Sequence, residues 1–205
     1  MVQAVAGAGK TTFLLNQLNL ENNVALITYT KNNQEQLKEN IIKKFGYYPN
    51  NIHVFGLFEF LYNFCYRPLQ NKYPITGICF DHPSPYLKGF HHKDGRIYSN
   101  QISRLLLAEK INYLTRIERF FDYFYIDEVQ DIAADDFDWL MSLKDLKIPV
   151  TLVGDFYQST FVSSRRGNKG KAIYSSIENY KNQFDQNGFH FEESKLIASH
   201  RCSKS

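Results

Sequence analysis

Short apolar runs alternate with amphipathic stretches along most of the chain. The apolar runs at 2–5, 24–29 and 52–55 are typical of buried strands, whereas the spacing of Leu37, Ile41 and Phe45 is typical of one helix face. The same criteria predict further strands over 121–126, 149–153 and 189–196, and helices over 10–20, 32–45, 57–66, 101–119, 135–143 and 173–184. Strands that alternate with helices predict a three-layer α/β domain with a mainly parallel sheet covered on both faces.

One stretch, residues 67–100, interrupts this alternation. It contains four of the six prolines, Pro68, Pro74, Pro83 and Pro85, and several scattered aromatic residues. Such a composition favours an irregular connection. We therefore expect a main domain built from 1–55 and 119–205, with a small, mostly helical subdomain inserted at 56–118.

A glycine-rich string, Ala-Val-Ala-Gly-Ala-Gly-Lys-Thr at 4–11, lies between the first predicted strand and the first helix. A turn of this kind places backbone N–H groups around phosphates, an ammonium group on the terminal phosphates and a hydroxyl on Mg²⁺. Ala4 stands where the usual pattern begins with glycine, but the strand before and the helix after support the interpretation. The predicted nucleotide-binding residues here are Ala6, Gly7, Ala8, Gly9, Lys10, Thr11 and Thr12, although Thr12 also fits a plain helix position.

Two further strings follow predicted strands: Tyr-Ile-Asp-Glu-Val-Gln-Asp at 125–131 and Val-Gly-Asp-Phe-Tyr-Gln-Ser at 153–159. Adjacent carboxylates at a strand end repel each other unless a cation lies near them. We predict that Asp127 holds Mg²⁺ together with Thr11, and that Glu128 polarises the attacking water. Gln130 and Gln158 are suited to sensing the γ-phosphate, and Asp155 fits either the site or a helix N-cap. ATP and Mg²⁺ are thus the expected substrate and cofactor.

Bulk composition adds few constraints. The net charge of +3 permits contact with a nucleic-acid backbone without requiring it. The three cysteines are widely spaced, which is typical of a reduced intracellular protein rather than a disulfide scaffold. No apolar run reaches membrane-spanning length, so we expect a cytoplasmic protein that does not contact a membrane.

The order of these strings resembles that of the UvrD, Rep and PcrA type of superfamily 1 helicases. Thr-Tyr-Thr-Lys-Asn at 28–32 and Ser-His-Arg-Cys-Ser at 199–203 extend the resemblance across nearly the whole chain. The resemblance implies a RecA-like P-loop domain that couples ATP hydrolysis to movement along single-stranded DNA. By matching position it implies that DNA contacts Thr28, Tyr29, Thr30 and Phe161, and that the catalytic residues are Glu128, Lys10, Gln158 and Arg201. Tyr29 also fits an edge of the apolar core.

The departures from the family pattern matter as well. The family's adenine-reading segment has no counterpart here, and the second RecA-like domain, which supplies another arginine to the nucleotide, is not part of these 205 residues. An absent arginine finger costs about 10³- to 10⁵-fold in rate. We therefore expect a weak ATPase without unwinding activity, completed by a second RecA-like domain or a partner protein. The abrupt start and end favour a fragment or a truncated gene.

Two other functions remain open from the sequence. The first is a nucleotide-dependent switch or binding module with little turnover, which the intact acidic pair disfavours. The second is another P-loop class, such as a small-molecule kinase, which Gln130 and the string at 153–159 disfavour. The sequence does not determine whether the nucleic acid is DNA or RNA, in which direction the protein would move along it, or what the oligomeric state is. It also does not determine whether the pathway is repair, plasmid replication or phage defence.

Overall fold

The computed structural model describes residues 1–5, 7–70, 75–81, 94–159 and 172–196, with side chains described up to residue 193. Six parallel strands form one sheet in the order β3-β2-β6-β7-β1-β8, and β4 pairs with β5 in a separate two-stranded parallel sheet. The strands are β1 (Val2–Ala4), β2 (Val24–Thr28), β3 (Ile52–Gly56), β4 (Ile78–Cys79), β5 (Ile97–Tyr98), β6 (Tyr123–Ile126), β7 (Val150–Gly154) and β8 (Glu192–Leu196).

Helices connect the strands of the large sheet. They are α1 (Lys10–Gln17), α2 (Lys31–Phe45), α3 (Leu57–Glu59, continued by a π-helix at Phe60–Tyr66), α4 (Ile102–Ala108), α5 (Tyr113–Phe120), α6 (Asp135–Ser142) and α7 (Ile177–Gln186). Short 3₁₀ turns occupy Ser99–Gln101, Val129–Asp131, Leu143–Asp145, Phe156–Gln158 and Ile173–Ser175. No helix within the described ranges is long and apolar enough to cross a membrane.

The sheet separates two apolar clusters. Val24 and Leu26 of β2 pack with residues of α1 and α2 on one face, whereas Ala25 and Ile27 belong to the larger cluster on the other. This alternation follows from the period of two along a strand. The larger cluster contains residues of the π-helix and of α4 to α7, among them the fully buried Trp139. The predicted three-layer α/β architecture with a parallel sheet is therefore confirmed.

The chain between β3 and β6 differs in detail from the predicted elements. The predicted helix over 101–119 is divided into α4 and α5, because Lys110 adopts a left-handed conformation (φ 51°) and the Asn112 side chain caps α5. The predicted helix over 57–66 is mostly π-helical, and its Phe60 ring packs against Phe124 of β6 with ring centroids 5.3 Å apart. This segment thus packs on the main sheet, and the subdomain limits 56–118 stay a prediction.

The strand order brings three of the predicted strings to one place. β7 lies between β1 and β6, and all three strands run in the same direction. Their carboxyl ends therefore meet at one edge of the sheet, where ligands bind in open parallel α/β folds. The segments that leave this edge are the glycine-rich turn before α1, the acidic pair after β6 and the turn after β7.

Candidate functional site

The glycine-rich turn wraps tightly between β1 and α1. Gly7 and Gly9 have φ angles of 75° and 83°, a region that residues with a Cβ rarely occupy. The Ala8 N–H donates to the Val5 carbonyl at 3.0 Å, and the Phe13 N–H donates to Gly9 at 2.8 Å. Thr11 is half-buried in the first turn of α1, and Thr12 is exposed. Ala6, also predicted to bind nucleotide, lies outside the described residues.

Lys10 reaches the acidic pair from this turn. Its ammonium Nζ lies 3.4 Å from Oε2 of Glu128, and the two side chains are only 11% and 23% exposed. Because both groups are shielded from water, this ion pair is screened less than a surface pair. The structure thus brings together two of the predicted catalytic residues.

Asp127 directly follows β6 and is 5% exposed. Its N–H continues the strand pairing by donating to Ile27 at 2.9 Å, and its Oδ1 accepts the Glu128 N–H at 2.9 Å. Burial and the neighbouring Glu128 carboxylate raise the pKa of Asp127 to about 7, against the lowering effects of the Glu128 N–H and of Lys10. The carboxyl group is therefore held where a positive charge would stabilise its ionised form.

Gln130 joins the acidic pair to the turn after β7. Its Nε2 donates to Glu128 Oε2 at 2.5 Å, and its Oε1 accepts the Asp155 N–H at 2.8 Å. The side chain is nearly inaccessible to solvent, at 2%. A Cβ on Gly154 would lie 2.6 Å from Gln130 Oε1, so glycine at residue 154 leaves the room that the Gln130 side chain occupies beside β7.

Asp155 and Gln3 complete the group. Asp155 is 1% exposed, and its side chain accepts the Tyr157 N–H at 3.1 Å. It is therefore the N-cap of the 3₁₀ turn Phe156–Gln158, one of the two roles that the sequence suggests for it. Burial raises its pKa, while Lys10, the Tyr157 N–H and the Gln3 side chain lower it. Sequence reasoning missed Gln3, whose Oε1 accepts the Phe156 N–H at 3.2 Å. Its only signal was an amide inside an apolar strand.

The balance of charges fits a bound divalent cation. The carboxyl groups of Asp127, Glu128 and Asp155 interact electrostatically with one another and with the Lys10 ammonium. Within the described ranges no three His, Cys, Asp or Glu side chains are grouped to hold a metal by themselves. In nucleotide sites Mg²⁺ takes one or two protein ligands and completes its shell with phosphate oxygens and water. Thr11 and Asp127 are the residues that would hold it.

Four of the remaining predicted residues lie within the described ranges. Gln158 is exposed at the end of its 3₁₀ turn. Thr28 is buried with no hydrogen-bond partner for its Oγ1, Tyr29 is half-buried, and Thr30 is exposed and caps α2 by accepting the Asn33 N–H at 3.1 Å. Phe161 and Arg201 lie outside the described residues.

A pH-dependent stability follows from the buried Asp127. Its pKa is about 7 in the folded protein, against 3.8 ordinarily, so the folded state binds more protons between these values. The metal-free protein should therefore lose on the order of 2 kcal/mol of unfolding free energy from this group between pH 5 and pH 8. Urea unfolding in the presence of EDTA, at pH 5 and at pH 8, measures this loss of unfolding free energy. Asp127→Asn should reduce the loss, and an equal loss in both proteins would contradict the assignment.

The backbone at Glu128 offers a second test. Glu128 has φ 55° and ψ 44°, a left-handed conformation that is strained for a residue with a Cβ. Glu128→Gly should be roughly 1 kcal/mol more stable to unfolding than Glu128→Ala, because only glycine adopts this conformation without strain. Lys110, with φ 51° in an exposed loop, is the matched control, and Lys110→Gly should gain similarly over Lys110→Ala. Equal unfolding free energies of Glu128→Gly and Glu128→Ala would contradict the claim that the backbone at residue 128 is strained.

Comparisons with known proteins give structural likenesses only. No protein-family model matches the chain, and no curated protein matches it. It is similar to a crystal structure of Bacteroides sp. Pif1 in complex with ADP-AlF4, with 18% identity and a TM-score of 0.43 over 99% of this chain and 39% of that chain. It is also similar to a structure of two coordinating Pif1 helicases at forked dsDNA, with 17% identity and a TM-score of 0.42 over 99% of this chain and 40% of that chain. A third similar structure is Bacteroides Pif1 bound to ssDNA, with 14% identity and a TM-score of 0.26 over 98% of this chain and 44% of that chain. The chain spans about two-fifths of the length of these structures.

Proposed function

We propose that this chain is the ATP-binding motor domain of a superfamily 1 DNA helicase or translocase, and that it binds and hydrolyses MgATP. The observation that carries the proposal is the meeting of Lys10, Asp127 and Glu128 where the glycine-rich turn and β6 end at one sheet edge. A phosphate-binding turn, a carboxylate for a cation and a carboxylate that can accept a proton are the groups that ATP hydrolysis needs.

Each residue has a distinct part in the proposed reaction. Backbone N–H groups of the turn bind phosphate oxygens, and Lys10 neutralises the terminal phosphates. Glu128 accepts a proton from the attacking water as the water oxygen bonds to the γ-phosphorus, while the bond from that phosphorus to the β–γ bridging oxygen breaks and ADP leaves. Thr11 and Asp127 would hold Mg²⁺, which would supply positive charge to stabilise the transferring phosphoryl group. Gln158 and Arg201 stay predicted contributors.

Single-stranded DNA is the proposed partner. Tyr29 makes an edge contact with Phe58 at 5.9 Å, and Phe58 makes another with Phe80 at 5.9 Å. Phe80 is 66% exposed, and Thr30 next to Tyr29 is also exposed. Aromatic rings at a surface stack on nucleobases without requiring a particular sequence. These contacts support Tyr29 and the exposed Thr30 as part of a DNA surface, to which they add Phe80. Thr28 is buried beneath that surface, and Phe161 stays a predicted contact.

The narrower parts of the proposal rest on the motif order. The UvrD, Rep and PcrA type is the assignment that the strings favour, with a second RecA-like domain or a partner protein supplying an arginine to the γ-phosphate. Such an arginine accelerates phosphoryl transfer by about 10³- to 10⁵-fold. A nucleotide-dependent switch with little turnover is the alternative outcome of the test.

Equilibrium binding tests the proposal most simply. Titration with a fluorescent ATP analogue in Mg²⁺ and in EDTA, followed by titration with fluorescent oligo(dT), measures the two partners separately. We expect Mg²⁺-dependent nucleotide binding that Asp127→Ala weakens, and oligo(dT) binding that Tyr29→Ala weakens without changing nucleotide binding. Nucleotide binding that is insensitive to Asp127→Ala would overturn the site assignment, and no oligo(dT) binding would overturn the motor.

A further inference from the structure

We propose that Gln130 is a positioning residue that orients the Glu128 carboxylate for hydrolysis, rather than a direct nucleotide ligand. This inference rests on the proposed ATPase function and adds to it the group that holds the general base in place. Gln130 has both ends of its amide engaged within the protein, and it is nearly excluded from solvent.

The geometry allows only one orientation of the amide. Nε2 faces the Glu128 Oε2 at 2.5 Å and must donate, whereas Oε1 faces the Asp155 N–H at 2.8 Å and must accept. The Ser159 Oγ also donates to the Gln130 carbonyl at 3.0 Å, which fixes the backbone of this residue. Gly154 leaves the amide just enough room, since a Cβ there would lie 2.6 Å from Oε1. The amide is therefore a rigid bridge between the ends of β6 and β7.

Both described partners of the Glu128 carboxylate share one oxygen. Lys10 Nζ and Gln130 Nε2 approach the same Oε2, at 3.4 Å and 2.5 Å. Holding Oε2 directs Oε1 away from the bridge, as the atom that accepts the proton of the attacking water.

Nucleotide binding changes the balance between these two partners. Terminal phosphates compete with Glu128 for the Lys10 ammonium, because phosphate carries more negative charge than a carboxylate. Once Lys10 moves to the phosphates, Gln130 is the remaining described side chain that holds Glu128. A neutral amide holds the carboxylate in place without adding a second positive charge beside it. Gln130 should therefore act on the hydrolysis step and hardly on nucleotide affinity.

Single-turnover hydrolysis of radiolabelled ATP by the 205-residue protein tests this inference. Gln130→Met preserves length but removes both hydrogen bonds, and we expect it to slow hydrolysis about 10- to 100-fold with an unchanged nucleotide Kd. Gln130→Glu keeps an acceptor for the Asp155 N–H but places a carboxylate against Glu128. It should be equally slow if Gln130 positions Glu128, and near wild type if Gln130 only anchors Asp155. Gln36→Met, the same substitution at an exposed position of α2, is the matched control that should keep the wild-type rate.

A double-variant comparison separates positioning from a general structural role. On the Glu128→Gln background, Gln130→Met should cause no further loss of rate, because Gln130 acts only through the missing carboxylate. The inference would be overturned if Gln130→Met slowed Glu128→Gln by the same factor as it slows the wild-type protein. A wild-type rate in the Gln130→Met single variant would also overturn it, and neither result would contradict the proposed ATPase function. Absence of hydrolysis in the wild-type protein would contradict the proposed function instead.

The bridge can be detected without turnover. In a ¹⁵N-edited NMR spectrum, one Gln130 side-chain amide proton should be shifted strongly downfield by its short bond to a carboxylate, and Glu128→Ala should abolish that shift. An ordinary Gln130 amide resonance in the nucleotide-free protein would overturn the inference, whatever the hydrolysis assay finds.

Discussion

Glu128→Gln is expected to reduce the rate of ATP hydrolysis by about 10²- to 10⁴-fold while leaving nucleotide binding intact. The amide has nearly the size of the carboxylate and still accepts a hydrogen bond from Gln130, but it cannot take a proton from water. Removing the Glu128 charge also lowers the pKa of Asp127 towards its ordinary value, because Glu128 is one of the causes that raise it. Mg²⁺ affinity should therefore stay the same or increase.

The measurement is a pair of assays on the same preparations: steady-state phosphate release and equilibrium binding of a fluorescent ATP analogue. Glu39→Gln is the matched control, since Glu39 is an exposed residue of α2 far along the chain from the site. It should behave as wild type in both assays. Equal loss of binding and hydrolysis in Glu128→Gln would mean that Glu128 holds the nucleotide rather than activating water.

Lys10→Met is expected to weaken MgATP binding about 10- to 100-fold, as the loss of a charge-assisted contact to phosphate predicts. Hydrolysis should fall further, because the charge that develops in the transition state loses the same partner. Methionine keeps the unbranched stem of lysine, so the packing of α1 against the sheet is preserved.

Isothermal titration calorimetry with ATP and Mg²⁺ measures the binding loss directly. Lys38→Met, at an exposed position of α2, is the matched control and should bind as wild type does. Without Lys10, the Glu128 carboxylate loses its ion-pair partner, so the nucleotide-free variant should also unfold at a lower urea concentration. An unchanged ATP affinity in Lys10→Met would place the phosphates somewhere other than at the glycine-rich turn.

Much of the fold could be predicted from the period of the apolar residues. The strands Val24–Thr28 and Ile52–Gly56 and the helix Lys31–Phe45 differ from the predicted limits by one residue at an end. The break between α4 and α5 was missed because a left-handed residue such as Lys110 carries no periodic signal. The π-helix at Phe60–Tyr66 was missed because its apolar pattern does not differ from that of an α-helix over so few residues.

The site was predictable where a residue type has a chemical reason to follow a strand. Lys10, Asp127 and Glu128 were identified for that reason, and the parallel sheet places them together. The hydrogen bonds of Gln3 could not be foreseen, since they depend on which strand pairs with β1. The bridge through Gln130 likewise depends on the register of β6 and β7. Local sequence encodes the chemistry of a group, whereas strand order decides its partners.

Whether this chain is an ATPase that responds to nucleic acid is best decided by steady-state ATP hydrolysis with and without single-stranded DNA. We expect slow MgATP hydrolysis that oligo(dT) stimulates, that EDTA stops and that Glu128→Gln reduces by about 10²- to 10⁴-fold. Tight nucleotide binding with no turnover and no response to DNA would contradict the motor and favour a nucleotide-dependent switch.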